Sequence, residues 1–154
     1  MKLAPFARAA LALTLALAPA ACTPVAPPPN PAAQVTAASL KAQTLSLLDV
    51  AGDPYANHAA EVDALTARID AAASAAAADP LNTFSARQWA VLRDPGRALY
   101  GGTIALWRSQ GALNPAFRDQ KKIQIGRAFD YILCLEANKR QATACGQIEE
   151  GGAS

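Results

Sequence analysis

The side chains that most often carry out chemistry in proteins are scarce in this chain, which has one histidine and three cysteines among 154 residues. His58 precedes Glu61, the reverse of the Glu-x-x-His order found in helical two-metal sites. Cys22, Cys134 and Cys145 have neither the C-x-x-C spacing of a zinc site nor the C-x-x-C-H motif that attaches a c-type haem. We therefore expect no metal and no cofactor, and we interpret His58 as a half-exposed helix residue beside Glu61.

Catalytic groups are equally hard to find. Nucleophilic catalysis needs a nucleophile beside an oriented base, and His58 has no G-x-S-x-G motif after it. Cys134 lies in an apolar stretch, where a buried thiol is inert. Glycoside hydrolysis needs only two carboxyl groups, but nothing in the spacing singles out two of the six candidates. They all occupy positions typical of a helix surface: Glu61, Asp63, Asp70, Asp119, Asp130 and Glu136. The sequence thus favours a protein that is not an enzyme, with a carboxylate-based hydrolase as the alternative.

Residues 87–108 are the best candidate for a binding face, because arginine and tryptophan are enriched at the centres of protein interfaces. The candidate face consists of Arg87, Trp89, Arg93, Arg97, Tyr100, Trp107 and Arg108. We expect at least three of its four guanidinium groups to share one continuous exposed surface. In the alternative interpretation, the tryptophans belong to the core and the arginines are their solvated neighbours.

Two adjacent glycines, Gly101 and Gly102, interrupt a helical pattern, although each costs about 1 kcal/mol relative to alanine. No strand precedes them, so they do not form a phosphate loop. The pattern indicates either a close approach of another helix or a helix that starts after Tyr100. A backbone surface for a ligand is the alternative.

The charge distribution excludes a strong nucleic-acid signal, because the net charge is only +2. Charge is uneven along the chain: residues 23–80 carry two basic side chains and six acids, whereas residues 81–154 carry ten basic side chains and six acids. Either the two halves neutralise each other within the fold, or the basic half faces an anionic partner, such as an envelope polymer or lipid headgroups.

The first residues predict export. Lys2 and Arg8 give a basic start, and the apolar run at residues 9–18 is too short to span a bilayer of about 30 Å as a helix. That length is typical of the hydrophobic region of a signal peptide. We therefore assign residues 1–21 to a signal peptide.

The end of this segment, Pro19-Ala20-Ala21-Cys22, resembles the lipobox of bacterial lipoproteins in its two small residues and its cysteine. Pro19 departs from the aliphatic residue usual there. The resemblance implies that Cys22 carries palmitate-type acyl chains and anchors the protein in a membrane. Thr23, which is not aspartate, implies sorting to the outer rather than the inner membrane. The alternative is cleavage at an A-x-A site, Ala18-Pro19-Ala20, which would give a soluble periplasmic or secreted protein.

Residues 22–35 predict a linker, because the twelve residues after the cysteine, TPVAPPPNPAAQ, are rich in proline. An extended proline-rich segment of this length reaches about 37 Å. Acylation of Cys22 would leave Cys134 and Cys145 as a pair in an oxidising compartment. On one unbroken helix their Cα atoms would be about 16 Å apart, and a disulfide needs less than about 7 Å. The chain must therefore turn near residues 142–143, unless Cys134 is a free buried thiol.

The remaining chain predicts helices only, because about a quarter of all residues are alanine and alternating strand patterns are absent. Proline and glycine divide residues 36–148 into helical segments, and residues 149–154 form a polar flexible tail. Asp53-Pro54 and Asn114-Pro115 each predict a helix start, with a capping side chain followed by proline. The predicted helices span residues 36–51, 54–78, a short stretch after Asn82 or Thr83, 97–109 and 115–140. The fold class is all-α, a small bundle of four or five helices.

These features together predict a cell-envelope lipoprotein that faces the periplasm and acts through a non-enzymatic helical binding domain. Its expected partners are the membrane, through Cys22, and an envelope protein or anionic envelope polymer. The alternatives are an envelope hydrolase that uses carboxylates, and a carrier of an apolar ligand. A carrier would require a cavity between the helices.

Overall fold

The described part of the protein is entirely helical. The computed structural model describes the backbone of residues 26–150 and the side chains of residues 26–146. The predicted signal peptide, Cys22 with its lipobox and the last four residues of the predicted tail lie outside the described residues. Within them, the predicted all-α class is confirmed.

Six α-helices and two 3-10 turns follow one another along the described chain. The helices are α1 (Pro31–Asp49), α2 (Ala59–Ala77), α3 (Thr83–Arg93), α4 (Tyr100–Gln110), α5 (Pro115–Ala137) and α6 (Thr143–Glu150). The 3-10 turns occupy Tyr55–Asn57 and Lys139–Gln141.

Four helices enclose the core. α1 packs against α2 and α5, and α3 packs against the same two helices from the other side. The shorter α4 packs on α3, and α6 packs on α5. Three leucines of α1 and the alanine just after it are buried: Leu40, Leu47, Leu48 and Ala51. The largest buried side chains from the other elements are Ile69, Leu92, Tyr100, Trp107, Ile125, Phe129, Ile132 and Leu135.

One end of the bundle, which we call the closed end, is sealed by hydrogen bonds between two connections. The amide of Tyr55 donates to the carbonyl of Gly111 at 2.7 Å, and the amide of Leu113 donates to the carbonyl of Ala51 at 2.8 Å. The indole of Trp107 also donates to the carbonyl of Asp53 at 3.0 Å. These bonds pair backbone groups of the two connections, which have no partner within a helix. They tie the start of α5 to the segment between α1 and α2.

The first helix begins five residues earlier than predicted. The side chain of Asn30 accepts a hydrogen bond from the amide of Ala33 at 3.1 Å, and Pro31 occupies the first turn. Pro27 is buried against the bundle. The predicted linker at residues 22–35 is therefore wrong in its second half, because residues 31–35 are helical. The extended reach of about 37 Å is correspondingly too long.

The second helix begins later than predicted. Asp53-Pro54 does not cap it; these residues precede the 3-10 turn at Tyr55–Asn57, and α2 starts at Ala59. The carboxylate of Asp53 lies 3.4 Å from the ring of His58 instead of on a backbone amide. Asn114-Pro115 behaves as predicted, because the Asn114 side chain accepts from the amide of Phe117 at 2.9 Å.

The predicted last helix, 115–140, ends at Ala137, and a 3-10 turn and a further helix, α6, follow it. Asn138 ends α5, and its side-chain amide donates to the carbonyl of Cys134 at 3.0 Å. Side-chain amides compete in this way with helical hydrogen bonds. After the 3-10 turn, α6 runs to Glu150, so the tail predicted from residue 149 begins inside a helix. Among the described helices, none combines the length and the apolarity that crossing a membrane requires.

Candidate functional site

A groove of about 460 Å³ lies at the end of the bundle opposite the closed end. Its walls come from the segment before α1, the first turns of α1 and the last turns of α2. The start of α3 and the end of α5 complete the groove. It exists because α2 ends in an alanine-rich stretch, residues 71–78, whose short side chains leave space between the helices. We call it the anchor-end groove, because the chain enters the bundle here from the side of Cys22.

The groove is largely apolar. Ala75 and Ala76 of α2 line one wall, Pro27 and Pro28 line the facing wall, and Trp89 contributes its edge. Trp89 is only 3% exposed and packs edge-on against Phe129, with ring centroids 5.8 Å apart. The Trp89 ring is thus held in place between small side chains, and an apolar group can pack against it.

A buried ion pair forms the polar part of the groove. The ammonium of Lys139 lies 2.6 Å from a carboxylate oxygen of Glu136, and the two side chains are 5% and 2% exposed. The same ammonium donates to the side-chain oxygen of Asn82 at 2.6 Å and to the hydroxyl of Ser85 at 3.2 Å. Because an ammonium has three donors, these three acceptors satisfy it completely. The pair therefore joins the end of α5 to the start of α3 as a fixed polar element.

A disulfide closes the loop that carries Lys139. Cys134 on α5 and Cys145 on α6 are joined, and their Cα atoms are 5.8 Å apart. The chain reverses between residues 138 and 143, close to the turn that the sequence predicts. The bond holds α6 and the 3-10 turn against α5, on one side of the groove.

The sequence prediction missed Glu136 as a buried residue and did not consider Lys139. Glu136 was one of six carboxylates predicted for a helix surface, and for Glu136 this is wrong. A signal was present: Phe129, Ile132 and Glu136 are spaced by three and four residues, so they share one face of α5. The acid at the end of an apolar face, three residues before a lysine, is typical of a paired buried charge.

The candidate binding face does not form as an exposed mixed surface. Its three aromatic residues, Trp89, Tyr100 and Trp107, are 3%, 1% and 0% exposed and belong to the core. The hydroxyl of Tyr100 is hydrogen-bonded to that of Thr66 at 2.7 Å. The prediction of an accessible arginine–aromatic face is therefore wrong in its aromatic half, because these rings pack inside the bundle: Trp89 against Phe129 of α5, and Trp107 against Tyr55 and His58.

All four arginines of the candidate face are exposed, and three of them face carboxylates. Arg93 pairs with Asp70 at 3.0 Å, and Arg108 lies 3.6 Å from Asp63. The third pair joins Arg97 to Asp94 at 3.8 Å. Because α2 supplies two of these acids, the basic and acidic halves of the chain neutralise each other across the bundle. Exposed pairs of this kind contribute little to stability.

Burial and hydrogen bonding raise the pKa values of two groups in this region, Tyr100 and Arg108. Desolvation by burial raises the pKa of Tyr100 to about 12, although the hydrogen bond from Thr66 acts in the opposite direction. The hydrogen bond to the Tyr55 hydroxyl raises the pKa of Arg108 above its ordinary value. Arg108 donates two hydrogen bonds to that hydroxyl, at 2.9 and 2.7 Å. Both groups are therefore protonated at neutral pH.

His58 lies at the closed end, away from the groove. Its ring is 3.4 Å from the Asp53 carboxylate, 3.7 Å from that of Glu61 and 5.7 Å from the centre of the Trp107 ring. It precedes α2 directly and is mostly covered. Within residues 26–146, no group of three or more histidine, cysteine or acidic side chains could hold a metal ion.

The two glycines of α4 serve packing. A Cβ atom on Gly101 would overlap the carbonyl oxygen of Arg93, and one on Gly102 would overlap that of Arg97. The approaching backbone is the last residue of α3, Arg93, together with the turn that follows it up to Arg97. The helix starts at Tyr100, three residues after the predicted start at residue 97 and one residue before the alternative start after Tyr100.

No protein-family model matches the chain, and no curated protein and no solved structure matches it either. The functional argument therefore depends on the residues and geometry described above.

Proposed function

We propose that this protein is an exported lipoprotein, anchored through Cys22 in the cell envelope and facing the periplasm, and that it acts by binding. The order of basic start, short apolar run and lipobox-like residues supports the anchor. The outer membrane is the proposed location, from the resemblance at Thr23. The domain itself would be non-enzymatic.

The observation that carries the binding role is the anchor-end groove. Its volume of about 460 Å³ falls within the range typical of ligand sites, which are mostly apolar with a few fixed polar groups. Ala75, Ala76 and Trp89 supply the apolar surface, and the Lys139–Glu136 pair supplies the fixed polar element. Because the Lys139 ammonium already has its three acceptors, the pair can offer a ligand only the remaining acceptor capacity of the Glu136 carboxylate. A partner segment or ligand with an apolar part and a hydrogen-bond donor at its end fits this surface.

The groove also favours a second candidate function, a carrier of an apolar ligand, because a carrier needs a space between helices. A hydrolase fits less well. Asp79 and Glu136 are the two acids that line the groove. The Asp79 carboxylate accepts the amide of Leu81 at 2.8 Å, and Glu136 is paired with Lys139. Both acids are therefore already engaged, Asp79 by a backbone amide and Glu136 by a cation, and neither is set up as the general acid that a carboxylate pair needs.

The anchor is tested by Cys22→Ser with metabolic palmitate labelling and membrane fractionation. We expect the wild type to take up palmitate and to sediment with the outer membrane, and the variant to do neither. A wild type that takes up no palmitate and stays soluble in the periplasm would show that cleavage at Ala18-Pro19-Ala20 is correct.

The groove is tested with two matched substitutions of exposed alanines on α2. Ala75→Phe places a ring in the groove, whereas Ala67→Phe places the same ring about 12 Å away on the same helix. We expect Ala75→Phe to weaken binding of a dansyl-labelled fatty acid at least tenfold and to remove partners captured from the native envelope. Ala67→Phe should leave both unchanged. Equal behaviour of the two variants would refute the groove as the binding site.

A further inference from the structure

An apolar surface patch lies beside the groove. Phe84 is 60% exposed and Leu81 is 39% exposed, and both line a shallow depression together with Pro27 and Ala142. Side chains of this size are normally buried. Nothing in the described residues covers them. The patch consists of residues from three separate stretches of chain that meet at this end of the bundle.

Two exposed arginines lie close to the patch. Arg87 follows Phe84 by three residues on α3, so the two side chains lie on one face of the helix. Arg140 directly follows Lys139, whose ammonium reaches Asn82 near the start of the same helix. We call the group Leu81, Phe84, Arg87 and Arg140 the anchor-end surface. An apolar centre with arginines beside it is typical of surfaces that rest on anionic lipid.

The length of chain outside the described residues places this surface near the membrane. Pro27 is buried at the patch, and Cys22 is only five residues before it. Five extended residues span about 15 Å. If Cys22 is acylated, the lipid headgroups lie within that distance of Phe84 and Leu81. A longer free linker would have allowed any orientation, but this one holds one particular end of the bundle against the bilayer.

We propose that the anchor-end surface docks on an anionic phospholipid membrane, the one that holds the acyl chains of Cys22. Phe84 and Leu81 enter the headgroup region, and Arg87 and Arg140 contact phosphate groups. The closed end points away from the membrane, and the anchor-end groove opens at its surface. This inference rests on the proposed lipid anchor.

The test uses the lipidated protein, purified from its envelope and reconstituted into phosphatidylethanolamine–phosphatidylglycerol vesicles with brominated acyl chains. Phe84→Trp reports on the anchor-end surface. Ile123→Trp is the matched control, because Ile123 is 57% exposed and lies about 20 Å before Glu136 along α5. The wild-type emission of Trp89 and Trp107 is subtracted. We expect the brominated lipid to quench the tryptophan at position 84 at least threefold more than that at position 123.

The outcomes separate the anchor from the docking. Mass spectrometry of the same sample determines whether Cys22 is acylated; an unmodified cysteine would overturn both the anchor and the docking. An acylated protein with equal quenching at the two positions would overturn the docking alone. The docking is also overturned if the tryptophan at position 84 is shielded from solvent without lipid and the protein is dimeric in detergent. A second copy of the chain then covers the patch. Replacing phosphatidylglycerol with phosphatidylcholine should reduce quenching at position 84, and unchanged quenching would contradict the role of the arginines.

Discussion

At the scale of single residues, exposed and buried ion pairs differ in how much the loss of one charge would destabilise the fold. Among residues 26–146, four ion pairs that solvent reaches join neighbouring helices, as between Lys41 on α1 and Asp130 on α5, 2.5 Å apart. The Lys139–Glu136 pair is different because both side chains are almost fully covered. Removing one partner of a buried pair leaves the other charge without compensation, whereas an exposed pair is already solvated.

Lys139→Met should lower the free energy of unfolding by about 3–5 kcal/mol, because Glu136 would remain buried without its cation. The control is Lys122→Met, which removes the exposed partner of Asp49 and should cost less than about 1 kcal/mol. Urea unfolding measures both. The double variant Lys139→Met/Glu136→Met should lose less than Lys139→Met alone. Equal losses for the two lysine variants would mean that the pair is solvated.

Tyr100→Phe should change the pH dependence of stability. Burial raises the pKa of Tyr100 to about 12, above its unfolded value of about 10. The neutral hydroxyl therefore stabilises the fold below pH 10, and this contribution is lost as the pH rises from 10 to 12. At pH 7 the variant should lose about 1 kcal/mol with the Thr66 hydrogen bond. Chemical unfolding between pH 9 and 12 should show a flatter decline than in the wild type, and parallel curves would contradict the burial of the hydroxyl.

At the scale of helices, the sequence predicted the number and order of the long elements, because proline and glycine mark their ends. The boundaries depended on local chemistry that looks alike in the sequence. Asn30-Pro31 and Asn114-Pro115 both cap a helix through the asparagine side chain. The first was missed because neighbouring prolines indicated a linker. Asp53-Pro54 carries the same signal, but its carboxylate faces His58, five residues later, because a 3-10 turn lies between them; the cap-plus-proline pattern does not reveal this turn.

Gly101→Ala should destabilise the protein by about 3 kcal/mol, because the new methyl group overlaps the carbonyl of Arg93. Gly146→Ala is the control, since a Cβ there meets nothing within 4 Å in a helix. It should be neutral or stabilise by up to about 1 kcal/mol. Thermal unfolding of both variants gives the comparison. A neutral Gly101→Ala would mean that the turn before α4 does not approach as closely as described.

The connection between α5 and α6 gives a prediction about thiols. Non-reduced protein should contain no free thiol at Cys134 or Cys145 by mass spectrometry after alkylation. Because the bond closes a loop of 11 residues, Cys145→Ser should cost about 3 kcal/mol in the chain-entropy model. Cys134→Ser/Cys145→Ser should cost a similar amount, since either change opens the loop. Alkylation of both cysteines in the non-reduced wild type would show that they are free thiols and would contradict the disulfide.

At the scale of the whole molecule, the fold class was predictable but the groove was not. Composition and helix signals determine an all-α bundle. The groove depends on how much space the short side chains of residues 71–78 leave between α1 and α2. It also depends on the placement of Pro27 against these helices. Both are properties of the packed helices. The burial of Trp89, Tyr100 and Trp107 could not be predicted for the same reason. Tryptophan and tyrosine suit an interface and a core equally well, so only the packed helices decide between the two.

Lengthening the connection to Cys22 should separate anchoring from orientation. An insertion of about ten glycine and serine residues before Ala26 would add a flexible segment of roughly 15–20 Å. Palmitate uptake and membrane fractionation should stay as in the wild type. Quenching of Phe84→Trp by brominated lipid should decrease if the short connection contributes to docking. A decrease in fractionation instead would mean that the insertion interferes with export or acylation.

The burial of Pro27 also decides where this protein can meet other molecules. If Cys22 carries the proposed anchor, at most about 15 Å of chain and a bundle about 35 Å long, the length of the 23 residues of α5, keep the domain in a thin layer above its own leaflet. Encounters there are a search in two dimensions. For partners in the same leaflet, confinement to this layer raises the local concentration. Weak binding is then sufficient, and a partner fixed in the opposite membrane stays beyond reach.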